Sequence, residues 1–181
     1  MTTFVVDTKT HSLITTLPVG IPAAFSGAPQ SLTPDGKLVY TINVNGRSVS
    51  VIDTKTHSVI ATIQFDASTL PQAIDTSPDG KLVYVTTNLG TVPVLDVKTH
   101  SIIATVSIGE LPLTSVKFTP DGKLAYVLGF RSSEPGTLSV IDTKTHTVVA
   151  TLILPEDSTL PLFISFTPDG KLAYINAGTT D

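Results

Sequence analysis

The chain has no cysteine and no tryptophan, and both absences narrow its chemistry. Without cysteine, disulfides, zinc–thiolate sites and cysteine nucleophiles are excluded, while the redox compartment stays open. Charged residues are only 14% of the 181 residues, and the net charge of -4 argues against a nucleic-acid-binding surface. The hydrophobic fraction of 41% is nevertheless high enough for a packed core, so a disordered chain is excluded.

Long apolar runs and helical periodicity are also missing. No apolar run approaches the ~18 residues that a membrane-spanning helix needs. No segment shows an amphipathic helical stripe of ten or more residues. The first ten residues lack a basic region followed by an apolar stretch, so no signal peptide is expected.

Two short motifs alternate along the chain, and each occurs four times. The first motif reads VIDTKTHSVIATI from Val51, with near-copies from Val5, Val94 and Val140. The second motif contains Pro-Asp-Gly followed by Lys-Leu, with its prolines at positions 34, 78, 120 and 168. The spacing defines four units of a little over forty residues, which is the size of a propeller blade.

Each motif has the chemistry of a β-hairpin. In Pro-Asp-Gly, proline sets φ, aspartate bonds back to the turn backbone and glycine accepts a positive φ. In the other motif, Asp and Thr side chains can bond turn amides, and β-branched residues favour the flanking strands. With strands A and B in the Pro-Asp-Gly hairpin and C and D in the other, the sequence predicts an all-β propeller of four-stranded antiparallel blades, four per chain.

The motifs resemble those of the YVTN β-propeller repeat family. The residues that carry the resemblance are SPDGKLVYVTTN at 77–88 and VIDTKTHSVIATI at 51–63, and the motif pattern covers essentially the whole chain. The YVTN tetrapeptide itself changes at Tyr40, Tyr126 and Tyr174, where TIN, VLG and INA follow the tyrosine. The resemblance implies a propeller fold, and it leaves a secreted or cell-surface location open.

The order of the hairpins splits one blade between the termini of a single propeller unit, 1–181. The predicted elements are a C–D hairpin at 4–17, blades at about 30–64, 72–107 and 114–153, and an A–B hairpin at 163–176. Each terminal hairpin has an unpaired edge that must be covered. Either one chain closes a four-bladed ring, or two chains exchange half-blades in an eight-bladed homodimer, and we favour the homodimer.

The residues outside the motifs are acidic. The repeated turns hold eight Lys and eight Asp, which cancel, and the remaining three cations and seven anions account for the whole net charge of -4. We expect a binding face on the variable loops, because loops on a rigid scaffold carry function. The candidate binding residues are Phe25, Arg47, Phe65, Asp66, Glu110, Phe130, Arg131, Glu134, Glu156 and Asp157.

A second candidate set stands on the predicted innermost strands, three residues before each proline of the Pro-Asp-Gly motif. It consists of Ser31, Asp75, Lys117 and Ser165. We expect Asp75 and Lys117 to form a structural ion pair, because a lone buried charge is costly. The alternative is that the four residues line a polar channel that binds a small ligand or ion.

The four histidines and four tyrosines each occupy one repeated position. The histidines lie in the C–D turns, ~14 Å or more apart, so they cannot share a zinc ion and are interpreted as polar turn residues. The tyrosines are expected to pack between blades, with the hydroxyl bonding a backbone group. No metal and no cofactor is expected.

The leading function is a non-catalytic scaffold or binding module that contacts a protein or small molecule through the loop face. No Ser-His-Asp set can form there, so the chain is not expected to be an enzyme. One alternative is an amplified or engineered segment that only assembles and has no ligand. The other is a lactonase-like or other propeller enzyme, which the family resemblance permits.

Overall fold

The computed structural model describes residues 2–19, 30–109, 111–131, 134–155, 158 and 160–178. Within these ranges no helix is long and apolar enough to cross a membrane. The strands are β1 (Thr2–Asp7), β2 (Ser12–Pro18), β3 (Gln30–Leu32), β4 (Leu38–Asn43), β5 (Ser48–Asp53), β6 (Ser58–Gln64), β7 (Pro71–Thr76), β8 (Leu82–Thr87), β9 (Thr91–Asp96), β10 (Ser101–Ser107), β11 (Leu113–Phe118), β12 (Leu124–Arg131), β13 (Glu134–Asp142), β14 (Thr147–Ile153), β15 (Leu160–Phe166) and β16 (Ala173–Gly178).

The strands form three complete blades and two half-blades. The first blade is β3–β4–β5–β6, the second β7–β8–β9–β10 and the third β11–β12–β13–β14, each in the order A to D. The N-terminal half-blade, β1–β2, and the C-terminal half-blade, β15–β16, are separate two-stranded sheets. The predicted all-β architecture of four-stranded antiparallel blades is therefore confirmed.

The register between strands B and C is the same in all three complete blades. Tyr40 lies opposite Val51 in the first blade, and Tyr84 lies opposite Val94 in the second. In the third blade Tyr126 lies opposite Val140. Because side chains alternate between sheet faces, a common register sends equivalent side chains toward the neighbouring blade at every junction.

The hydrophobic core lies between adjacent sheets. One cluster joins the first blade to the second and includes Tyr40, Ile74 and Leu95. A second cluster joins the second blade to the third around Tyr84 and Phe118. Smaller clusters attach the half-blades, the N-terminal one to the first blade and the C-terminal one to the third. The sheets therefore follow one another in chain order.

The repeated turns are held by local side-chain bonds. Asp35 Oδ1 accepts hydrogen bonds from the Thr33 hydroxyl at 2.7 Å and from the Lys37 amide at 3.1 Å. The Thr33 bond, helped by Lys37, lowers the pKa of Asp35 to about 2. In the C–D turn, Asp53 accepts from the Lys55 and Thr56 amides. These bonds explain why Asp recurs in both turn motifs.

The two ends of each sheet define two faces of the molecule. The turn face carries the A–B and C–D turns, and Thr54 Oγ1 joins them in the first blade by donating to the Gly36 carbonyl at 2.7 Å. The loop face carries the B–C turns and the D–A loops. There the Phe65 amide donates to the Arg47 carbonyl at 2.8 Å.

Candidate functional site

A groove on the loop face lies between the first and second blades. It is a small cavity with a volume of about 310 Å³. Asp66, Ser68 and Thr69 form one wall from the D–A loop, while Leu89 and Ile102 of the second blade face them. We call this cavity the loop-face groove. It combines a carboxylate, hydroxyls and apolar carbons, as small-molecule sites do.

The walls of the loop-face groove are fixed by the side chain of Asn88. Its Oδ1 accepts a hydrogen bond from the Leu70 amide at 2.6 Å, and its Nδ2 donates to the Ser68 carbonyl at 3.3 Å. Asn88 belongs to the B–C turn of the second blade, whereas Ser68 and Leu70 belong to the loop that leaves the first. The side chain therefore ties together two segments from different blades.

The structure brings only some residues of the predicted binding face together. Asp66 is exposed in the loop-face groove, and Arg47 and Glu134 are exposed elsewhere on the loops. Phe130 is half-buried. Phe65 is 7% exposed and packs in the core, but it also lines the loop-face groove, so its role as a binding contact stays a prediction. Phe25, Glu110, Glu156, Asp157 and the Arg131 side chain lie outside the described residues.

Two members of the second candidate set, Asp75 and Lys117, join two innermost strands. Lys117 Nζ donates to Asp75 Oδ1 at 2.9 Å, and the Phe118 amide donates to Asp75 Oδ2 at 2.9 Å. The Asp75 side chain is 11% exposed, whereas that of Lys117 is 48% exposed. Asp75 thus joins the second blade to the third through one backbone bond and one ion pair. The backbone bond is the more protected of the two.

Ser31 forms the equivalent link at the preceding junction, between the first and second blades. Its hydroxyl oxygen accepts a hydrogen bond from the Thr76 amide at 3.1 Å. Ser165, on β15, is exposed, and the Thr76 hydroxyl is buried without a hydrogen-bond partner. Ser31, Asp75 and Lys117 therefore link neighbouring blades, whereas Ser165 forms no such link among the described residues. A ligand role for the set stays a prediction.

The repeated tyrosines and histidines meet in pairs across blade junctions. The Tyr40 hydroxyl lies 3.1 Å from His100 Nδ1, and the Tyr84 hydroxyl lies 2.8 Å from His146 Nδ1. Burial, with a smaller effect from Asp96, raises the pKa of Tyr40 to about 12, so its hydroxyl keeps its proton and is available as a hydrogen-bond donor. The expected bond from tyrosine to backbone is replaced by a bond to histidine.

Each histidine also has a backbone reason for its position. His11, His57, His100 and His146 have φ between 51° and 55°, in the left-handed region. Few non-glycine residues adopt this region, and histidine is among those enriched in it. The sequence contained a signal for the tyrosine–histidine bonds, because each unit has one tyrosine and one histidine at fixed positions.

The fold and its blade junctions define a β-propeller, and comparison with known proteins agrees. The family model for the cytochrome D1 heme domain matches residues 35–154, about two thirds of the chain. The chain belongs to this family. A search of curated proteins finds no match.

Solved structures share the fold at low sequence identity. Hydrazine synthase from Kuenenia stuttgartiensis matches with a TM-score of 0.85 and 24% identity, over 97% of this chain and 49% of that one. A chain of the mitotic checkpoint complex matches with a TM-score of 0.73 and 17% identity, over 87% of this chain and 45% of that one. The chain thus spans about half the length of each of these two structures.

Family membership corrects one sequence-based prediction. We expected the chain not to be an enzyme, and this is wrong, because the cytochrome D1 heme domain is an enzyme-associated propeller family. The lack of a Ser-His-Asp set on the loop face does not exclude an enzymatic role. A propeller can serve an enzyme by other means, such as binding a group that carries the chemistry.

As axial ligands for a heme, the described residues offer histidine and tyrosine but no cysteine or methionine. Such ligands are His, Cys, Met or Tyr. The chain has no Cys, and its one Met is residue 1, outside the described ranges. The histidines lie in C–D turns rather than on the innermost strands, and two of them bond tyrosine hydroxyls. Within the described ranges, no group of three or more His, Asp or Glu could hold a metal ion.

Proposed function

We propose that the 181-residue unit is half of a two-chain, eight-bladed propeller of the YVTN repeat type, and that the loop face of the ring is a binding surface. The observation that carries the proposal is the pair of unpaired half-blades. The C-terminal half-blade supplies strands A and B, and the N-terminal half-blade supplies strands C and D. A second copy offers each half-blade the one that it lacks.

Exposure of the half-blades supports this assembly. Tyr174 is 61% exposed, whereas the equivalent Tyr40 and Tyr84 are 0% exposed. Phe4 and Val6 on β1 and Leu172 beside β16 are also more than half exposed. An open strand edge with large apolar side chains favours pairing with another strand.

The match to hydrazine synthase supports the larger ring. This chain superposes along 97% of its length on 49% of a longer chain. A closed four-bladed ring would need a tighter angle between neighbouring blades than a larger ring does. The likeness concerns the fold alone and favours the curvature of the larger ring.

For the binding surface, we propose a cationic ligand, either a small molecule or a positively charged protein segment. Asp66 is exposed in the loop-face groove, beside the hydroxyls of Ser68 and Thr69. The residues outside the repeated turns carry all of the net charge of -4. Membership of an enzyme-associated family makes this surface a candidate for substrate or partner binding in a larger reaction.

The assembly is tested by the mass in solution. Light scattering coupled to gel filtration should give twice 19.0 kDa at micromolar concentration, with unfolding that depends on protein concentration. A compact species of 19.0 kDa would contradict the two-chain ring.

The binding surface is tested separately with a fluorescent tetralysine peptide as the cationic probe. Asp66→Asn should weaken binding severalfold at low salt, whereas Asp121→Asn, on the turn face, should leave it unchanged. Equal binding by both variants, or no binding by the native chain, would leave a ring that only assembles.

A further inference from the structure

We infer that the second copy joins the ring through a defined set of contacts, in which Tyr174 of one chain bonds His57 of the partner subunit and Asn176 pairs with Thr3 of the partner subunit. This inference rests on the proposed two-chain ring. It follows from the junctions inside one chain, where the same contacts occur with both partners present.

The first contact type is the tyrosine–histidine bond. Tyrosine on strand B of one blade bonds histidine in the C–D turn of the next blade, at 3.1 Å from Tyr40 to His100 and at 2.8 Å from Tyr84 to His146. The hydroxyls of Tyr126 and Tyr174 have no hydrogen-bond partner among the described residues. The next C–D turns in ring order carry His11 and His57 of the partner subunit.

The second contact type stacks the Pro-Asp-Gly turns. A Cβ placed at Gly80 would lie 3.4 Å from Pro34, one at Gly122 the same distance from Pro78, and one at Gly170 from Pro120. Glycine of each turn thus sits beside proline of the turn before it. A Cβ placed at Gly36, in the first of the four turns, has no atom within 4 Å. Pro168, in the fourth turn, has no glycine of another turn beside it among the described residues. The partner's Pro168 completes the series at Gly36.

The third contact type closes the blade itself. In the first blade the register pairs Ile42 with Val49, and the third blade pairs Leu128 with Leu138 at the equivalent positions. Counting from the repeated tyrosine and valine, the equivalent residues of the split blade are Asn176 on β16 and Thr3 on β1. They belong to different chains in the two-chain ring. The same count pairs Tyr174 with Val5 of the partner subunit.

An open cavity marks where Tyr174 would enter. A space of about 250 Å³ lies between the N-terminal half-blade and the first blade. Its lining includes Val5 and Val6 from the half-blade and Val39, Ile52 and His57 from the first blade. These are the neighbours that a tyrosine at the next ring junction would have. The lining of the cavity is mostly apolar, and its polar groups include His57, the histidine that would form a hydrogen bond with the tyrosine hydroxyl.

Engineered disulfides test the register, because the chain has no cysteine of its own. A chain with Thr3→Cys and Asn176→Cys should oxidise to a covalent dimer of twice 19.0 kDa, since opposite residues have Cβ atoms ~4.5–5.5 Å apart. A matched chain with Thr3→Cys and Ile175→Cys should not cross-link, because neighbouring side chains point to opposite sheet faces.

The outcomes separate this inference from the two-chain ring. Dimers in solution that cross-link only through position 175, or not at all, would overturn the register and leave the ring. A disulfide within one chain at 19.0 kDa would overturn both, because it would mean that the chain closes on itself.

The tyrosine bond has its own test in the dissociation of native dimers. Tyr174→Phe removes one hydroxyl at each of two symmetric junctions and should raise the dissociation constant by about 5- to 100-fold. Tyr84→Phe removes the same chemistry inside one chain, so it should lower the unfolding midpoint and leave dissociation unchanged. Exchange between differently labelled dimers measures both variants. Equal exchange by Tyr174→Phe and the native chain would overturn the Tyr174–His57 bond.

Discussion

The turn face and the loop face of the same sheets are held together in different ways. On the turn face, each carboxylate bonds groups two or three residues away, as Asp35 bonds Thr33 and Lys37. On the loop face, contacts join segments that are far apart in the sequence, as Asn88 joins Leu70. Local bonds repeat wherever the motif repeats, whereas the side-chain bonds of Asn88 to Leu70 and Ser68 have no counterpart in the other described loops. The loop face is therefore where one blade can differ from the next.

The largest expected difference between the faces comes from a methyl group added to a glycine. Gly90 has a φ of 68°, and a Cβ there would overlap the Gly109 carbonyl oxygen. Gly90→Ala should destabilise the protein by about 3–5 kcal/mol, because strain and backbone displacement add. Gly36, on the turn face, has a φ of 71°, but a Cβ there has no atom within 4 Å. Gly36→Ala should therefore destabilise the protein by only about 1 kcal/mol. Urea unfolding compares the two, and equal losses would mean that the loop segments can move apart freely.

The next largest effect is expected at Asp75, where a nonlocal link crosses between innermost strands. Asp75→Ala leaves the Phe118 amide without its acceptor and should cost about 1–3 kcal/mol. Asp75→Asn keeps an oxygen for that amide and should cost less. Lys117→Gln should also cost less, because the lysine side chain is 48% exposed. If Lys117→Gln were the most harmful of the three, the ion pair rather than the backbone bond would hold this junction.

A smaller effect is expected in the loop-face groove. Asn88→Ala removes the acceptor of the Leu70 amide and the donor to the Ser68 carbonyl, and should cost about 1 kcal/mol. Amide hydrogen exchange should quicken at Leu70, while exchange at Gly80, in the turn of the same blade, stays slow. Unchanged exchange at Leu70 would show that the loop holds its position without Asn88.

The difference between local and nonlocal contacts also explains how much of the fold and of the site could be predicted from the sequence. Strands and turns followed from local chemistry, because Pro-Asp-Gly and Asp-Thr-Lys-Thr specify their own backbone bonds. The burial of Phe65 did not follow, since it depends on where the D–A loop leaves the sheet. Nor did the bonds from Tyr40 to His100 and from Tyr84 to His146, because each joins residues of neighbouring blades across a junction. The loop-face groove could not be predicted either, since its walls come from two blades.

The smallest expected effect is the acid sensitivity of one turn. The pKa of Asp35 is about 2 in the folded chain against an ordinary value of 3.8, so its contribution is complete above pH 3.8 and is lost as pH falls toward 2. Asp35→Asn keeps an oxygen for Thr33 and Lys37 but lacks the charge. The unfolding midpoint of Asp35→Asn should therefore lie below that of the native chain at pH 6, and the difference should shrink at pH 2.5.

Thr33→Ser is the matched control, because Ser77 makes the same bond to Asp79 at 2.7 Å in the second blade. It should follow the native chain at both pH values, and a deficit for Asp35→Asn that stays constant with pH would show that the charge does not stabilise the turn.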